Sequence, residues 1–138
     1  MGSALWRYNT TLEDESRPAR MLETHPPAKA NGRIEGSYGS LATSLKAGDR
    51  LVIRIGFVKG ASDGLATFQV LYWNGDPDSS WKTWVTVTDD YDGKLEDRTA
   101  PAPSGVLGSN MYLMLRVDAG ASATQDSAVW ATARVERP

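Results

Sequence analysis

The residues best suited to chemistry in this chain are aromatic rings set beside planar polar groups. Trp73, Trp81, Trp84 and Trp130 occur with Tyr91 and Tyr112, and near them stand Asn74, Asp76, Gln69, Arg54, Arg116 and Arg134. An indole face packs well against the C–H face of a sugar ring, while amides, carboxylates and guanidinium groups hydrogen-bond its hydroxyls. An apolar floor with a few placed polar groups is what a small-ligand site requires. The competing reading is that these rings serve packing, or that they are buried where copies of the chain meet, since Trp, Tyr and Arg are also favoured at interfaces.

Catalytic groups are sparse. The one histidine, His25, precedes Pro26-Pro27 in an irregular stretch, so a Ser-His-Asp triad would have to be built there. With one histidine and no cysteine, a zinc site of His and Cys ligands is excluded, as are disulfides and a thiol nucleophile. Glu13, Glu15, Asp76, Asp78, Asp89, Asp92 and Glu96 offer carboxylates for glycoside hydrolysis. Their spacing singles out no pair, and turns favour Asp for backbone reasons. We therefore read no catalytic residues. Asp89, Asp90 and Asp92 ahead of Gly93 supply hard oxygen ligands for a structural calcium, with Asp76 and Asp78 as rivals. The run fails the EF-hand pattern, because Thr88 holds the first ligand position and Thr99 the last. No cofactor is required by this reading.

The elements that would carry these groups read as short strands. Residues 51–58, 67–73, 84–88, 111–117 and 128–135 are rich in β-branched and aromatic types. They are divided by turns such as Asn74-Gly75-Asp76-Pro77 and Asp89-Asp90-Tyr91-Asp92-Gly93. Weaker strand signals lie at 5–10, 33–38 and 41–45. Residues 11–33 hold three prolines and an acidic cluster, and read as a long loop. No stretch shows sustained helical periodicity with caps. About eight short strands in 138 residues predict a single all-β domain, an antiparallel sandwich.

Side chains alternate between the faces of a strand. That turns Leu51, Ile53, Ile55 and Phe57 inward, along with Phe68, Val70, Tyr72, Val85, Val87, Met111, Leu113, Leu115 and Val117. Val129, Ala131, Ala133 and Val135 join them. The same register predicts Leu71, Trp73, Trp84, Tyr112, Arg116 and Trp130 on outer faces. A glycan would sit either on a sheet face around Trp84 and Tyr112, or in the loops at one end. The loop version uses Trp6, Trp73, Trp81 and Tyr91, near Asn74, Asp76 and Asp92, and is the one we favour because loops carry function.

Charge narrows the partners further. Fifteen basic and seventeen acidic residues give a net charge of −2 with no basic stripe, so the footprint of a nucleic-acid binder is missing. No apolar run approaches the roughly 20 residues of a membrane span. The first residues, Met1-Gly2-Ser3-Ala4-Leu5-Trp6-Arg7, lack the apolar segment of a signal peptide.

One resemblance bears on fold and function. Residues 45–51 lead into Ile55-Gly56-Phe57, and Gly64-Leu65-Ala66-Thr67-Phe68-Gln69-Val70 follows. Later come Tyr91-Asp92-Gly93-Lys94-Leu95, the segment 111–117, Asp118-Ala119-Gly120, Asp126 and Ala128-Val129-Trp130-Ala131. Over about residues 41–136 this order resembles the galactose-binding-like jelly rolls, nearest to the NPCBM and malectin-like carbohydrate-binding modules. The resemblance implies a jelly-roll sandwich, a glycan ligand, an extracellular or cell-surface setting and a structural role for Asp126. Two functions remain in view: a non-catalytic carbohydrate-binding module, and an assembly module that forms a homo-oligomer through its aromatic face.

Overall fold

A computed structural model describes residues 2–27, 29, 31–38, 44–108, 111–120 and 127–138. Among them run nine strands. They are β1 (Ser3–Arg7), β2 (Met21–His25), β3 (Arg33–Tyr38), β4 (Arg50–Phe57) and β5 (Leu65–Trp73), then β6 (Lys82–Asp90), β7 (Glu96–Pro101), β8 (Tyr112–Ala119) and β9 (Ala128–Glu136). They form two antiparallel sheets, one ordered β1-β2-β9-β4-β7 and the other β3-β8-β5-β6. The all-β sandwich expected from the strand spacing is what the chain adopts.

Alternation builds the core as expected in β4 and most of β5. Ile53, Ile55, Phe57, Phe68 and Val70 have no exposed surface. Each such side chain contributes about 1.5–3 kcal/mol by leaving water. Phe68 lies at the centre, with its ring edge-on to Phe57 at 6.2 Å and to Trp130 at 5.3 Å.

Two bulges overturn the simple register. The β4–β9 pairing shifts between Arg54 and Ile55, where Arg54 faces Thr132 but Ile55 faces Trp130. One extra residue in β9 therefore swings Trp130 inward, and it is 3% exposed in the main core rather than on an outer face. By the same shift Val129 and Ala131 move to the outer side. There they stay covered, because Leu12 and Met21 pack over Val129. The second shift lies between Val70 and Leu71, where Val70 faces Val85 but Leu71 faces Thr83. It adds Trp84 to the inward set. A bulge places two residues against one and so re-aims a side chain. Leu71 keeps its outward register, opposite Met114, yet is only 4% exposed.

Two strands lay outside the sequence expectation. Residues 21–25, assigned above to a long loop, form β2, and Glu96–Pro101 forms the edge strand β7. Their charged and proline-flanked sequences carry little β signal of their own, and the neighbours β9 and β4 impose the pairing. Of the weak candidate at 41–45, residues 41–43 lie outside the described residues, as does Asp126.

Candidate functional site

The outer face of the four-stranded sheet gathers most of the candidate residues. β5 register sets Trp73 against Tyr112, Leu71 against Met114, Gln69 against Arg116 and Thr67 against Asp118 of β8. On the far side of β8, β3 sets Glu35 against Arg116 and Arg33 against Asp118. On the other flank, β6 sets Thr86 against Gln69 and Thr88 against Thr67. The face therefore grades from aromatic rings at one end to hydroxyls and paired charges at the other.

The aromatic end is held rigidly. Trp73 lies 5.8 Å from Trp81 and 5.3 Å from Tyr112, ring centre to ring centre, with tilted planes. Its indole Nε1 donates to the Asp76 carbonyl at 2.9 Å and to Ser79 Oγ at 3.1 Å. That loop is ordered by its own side chains. Asn74 Oδ1 accepts from the Asp76 amide and from Ser79 Oγ, and Asp76 Oδ1 accepts from the Asp78 amide. Such side-chain turns are the reason Asn and Asp suit these positions. Gly75 adopts φ +85°, and a Cβ there would sit 3.1 Å from the Tyr112 ring, so glycine lets the loop close against it. Asn74 and Asp76 thus act first on the loop that fixes Trp73.

The polar part is neutral in sum. Arg116 Nε donates to Glu35 Oε2 at 2.9 Å, and Arg33 pairs with Asp118. Gln69 Nε2 donates to Thr86 Oγ1 at 3.2 Å, and the Thr67 and Thr88 hydroxyls lie 2.9 Å apart. Glu35 was not singled out from sequence. The Arg33/Glu35/Ser37 alternation was the available signal, but it sat in a weak strand candidate.

Other candidates lie elsewhere. Trp84 faces inward, edge-on to Tyr72 at 6.2 Å, and its Nε1 donates to the Pro101 carbonyl at 2.9 Å. It braces the core and is not on the face with Tyr112, because the bulge turns it round. Tyr91 follows the far end of β6, roughly 30 Å from Trp81 along the strand. Its hydroxyl accepts from the Gly60 amide at 3.2 Å, and the ring packs on the main core. Trp6 sits in β1 of the other sheet with the Arg20 guanidinium 3.8 Å over its ring. The single loop cluster of Trp6, Trp73, Trp81 and Tyr91 is therefore divided among three places.

The acidic turn is organised around Glu13 rather than around its own three carboxylates. Strand alternation turns Asp89 inward and leaves Asp90 exposed, so Asp89, Asp90 and Asp92 do not converge. Among the described residues no three acidic or histidine side chains are grouped to hold a metal. Glu13 occupies the turn instead. Its Oε1 accepts from the Phe57 amide, and its Oε2 accepts from the amides of Asp92 and Gly93, all at 2.9–3.0 Å. Asp89 Oδ2 is buried without a hydrogen-bond partner. Burial, with Glu13, Glu96 and Asp92 nearby, pushes its carboxyl up to about 7.

No family model matches the chain, and no curated protein matches it. Solved structures do. A family 61 carbohydrate-binding module in complex with β-1,4-galactotriose aligns over 100% of this chain and 88% of its own, with a TM-score of 0.61 and 9% identity. The CBM22-1 xylan-binding domain of Xyn10C from Paenibacillus barcinonensis aligns over 98% and 84%, at TM-score 0.56 and 14% identity. A carbohydrate-binding module structure of the β-sandwich superfamily aligns over 99% of this chain and 56% of its own, at 0.54 and 16%. The chain thus has the β-sandwich fold of carbohydrate-binding modules, consistent with the jelly-roll resemblance read from its sequence.

Proposed function

We propose that this domain is a non-catalytic carbohydrate-binding module that takes a neutral glycan across the outer face of its four-stranded sheet. The observation that carries the reading is the ring cluster of Trp73, Trp81 and Tyr112, fixed at one end of an open face. Tyr112 is 37% exposed, and Trp73 and Trp81 are partly so. Sugar rings stack on these side chains, and the following sugars run along β5 and β8 toward Gln69, Arg116, Glu35 and Thr86. Because the two guanidinium groups on the face already pair with carboxylates, the face favours an uncharged chain over a uronic acid polymer. Its preset side chains limit the ordering cost of binding. The similar structures whose names include a β-1,4-galactotriose complex and a xylan-binding domain support the same ligand class.

A glycan array followed by calorimetry tests this. Neutral oligosaccharides are expected to bind, and Trp73→Ala and Trp81→Ala to weaken them. Binding that survives both substitutions would remove the platform. Sedimentation separates the assembly reading: a stable homo-oligomer whose formation Tyr112→Ala abolishes would assign the rings to a subunit contact.

A further inference from the structure

The hairpin that joins β1 to β2 carries a patch that the platform does not use. Past Arg7 and Met21, the last pair of the β1–β2 register, the Asn9 amide still donates to the Ala19 carbonyl at 3.4 Å. Tyr8 and Arg20 therefore come opposite each other. The Arg20 guanidinium sits 3.8 Å over the Trp6 ring. Arg17 Nε and Nη2 donate to the Asn9 carbonyl at 3.0 and 2.6 Å, beside Tyr8. Tyr8 is 63% and Trp6 47% exposed, against 37% for Tyr112 on the platform. The two cations next to these rings lack a counter-ion. Each of the other eight arginines pairs with a carboxylate, whereas among the described residues Arg17 and Arg20 have none. The acids of their own loop are engaged elsewhere. Glu13 holds three backbone amides, Asp14 accepts from Ser16, and Glu15 pairs with Lys59.

We infer that this patch takes an acidic sugar, one bearing a carboxylate or a sulfate ester. Water solvates any surface cation, so charge alone makes no site; here both cations flank open rings. The oxyanion accepts from the Arg20 N–H groups, which contact with Trp6 holds in place. A planar guanidinium meets either oxyanion with paired hydrogen bonds. The sugar ring packs against the open part of Trp6 and against Tyr8, and Arg17 adds a second positive charge at the hairpin. The platform differs, because Arg33 and Arg116 there are already neutralised by Asp118 and Glu35. The two places therefore divide acidic from neutral sugars. The sugar part of the inference rests on the glycan reading above; the anion part does not.

The test follows the indole N–H signal of Trp6 by NMR in the intact, nitrogen-15-labelled domain. The probes are trigalacturonate, a sulfated galactose, galactotriose, inorganic sulfate and triglutamate. A saturable shift of Trp6 with at least one acidic sugar, absent with galactotriose, is the expected result. The two acidic sugars distinguish a carboxylate from a sulfate source. Arg20→Gln, a change at an exposed side chain, should weaken the response about tenfold, and Arg17→Gln by less. Added salt should weaken it as well. A Trp6 signal unmoved by both acidic sugars, or moved equally by galactotriose, overturns the site. An equal response to inorganic sulfate or triglutamate shows that charge alone is read, and overturns it too. If an acidic sugar moves Trp6 while no glycan moves Trp73 or Trp81, this site stands and the platform falls. If galactotriose moves Trp73 and Trp81 while neither acidic sugar moves Trp6, the platform stands and this site falls.

Discussion

The two ends of the four-stranded sheet solve the same problem differently. At the end where β5 stops and β6 begins, Trp73 Nε1 and the Asn74, Asp76 and Ser79 side chains all find partners within the loop. At the other end, Glu13 satisfies three backbone amides of neighbouring segments, yet Asp89 beside it keeps an orphan carboxylate oxygen. The first end is polar-satisfied and presents rings outward. The second directs acidic groups inward, where burial, and then repulsion from neighbouring carboxylates, raises their proton affinity. The proposed glycan platform lies where the loop can satisfy itself; the acidic end serves the joint between sheets and carries an electrostatic cost.

The strongest perturbation of this contrast is Glu13→Ala. It leaves the Phe57, Asp92 and Gly93 amides without their acceptor, and we expect a loss of about 3 kcal/mol in urea unfolding. Glycan affinity of the folded fraction should not change. A loss of affinity without loss of stability would contradict the separation of the two ends. Trp73→Ala should do the reverse, weakening glycan binding by about 2 kcal/mol, roughly thirtyfold, with a smaller change in melting temperature.

Asp89 makes the acidic end pH-sensitive. Its carboxyl titrates near 7 in the fold against 3.8 as a free side chain. The folded chain therefore holds a proton that the unfolded chain has released. The stability this contributes is complete below about pH 4 and is lost as pH rises through 7. Asp89→Asn stays neutral throughout, so melting curves from pH 4 to 8 should flatten, with a gain of order 1–2 kcal/mol over the parent at pH 8. An unchanged slope would show that Asp89 reaches solvent. The smallest effect is expected from Asn74→Ala. Loss of its two loop hydrogen bonds should cost about 1 kcal/mol of stability and loosen Trp73, weakening binding less than removal of the ring itself.

Much of the fold was legible because β4 and β5 obey a strict period of two. Leu51, Ile53, Ile55, Phe57, Phe68 and Val70 could be turned inward from the sequence alone, and they are the core. The candidate site was legible only in pieces. Trp73, Tyr112 and Arg116 could be set on outer faces by alternation, but nothing in the chain order says that β8 lies between β3 and β5. That neighbour relation brings Glu35 to Arg116 and Tyr112 to Trp73. Trp84 and Trp130 were misplaced because a single inserted residue in a strand reverses every face beyond it, and no local residue type marks those two bulges.

The sequence by itself determined the class of structure: apolar alternation between Gly, Pro and Asp turns leaves the backbone few options but paired strands around a shared interior. Only the tertiary structure decided which rings remain open to a ligand. Exposure depends on long-range pairing and on what covers each face, as Leu12 covers Val129 while Tyr112 stays open. Those contacts join residues far apart in the chain, so local pattern does not encode them.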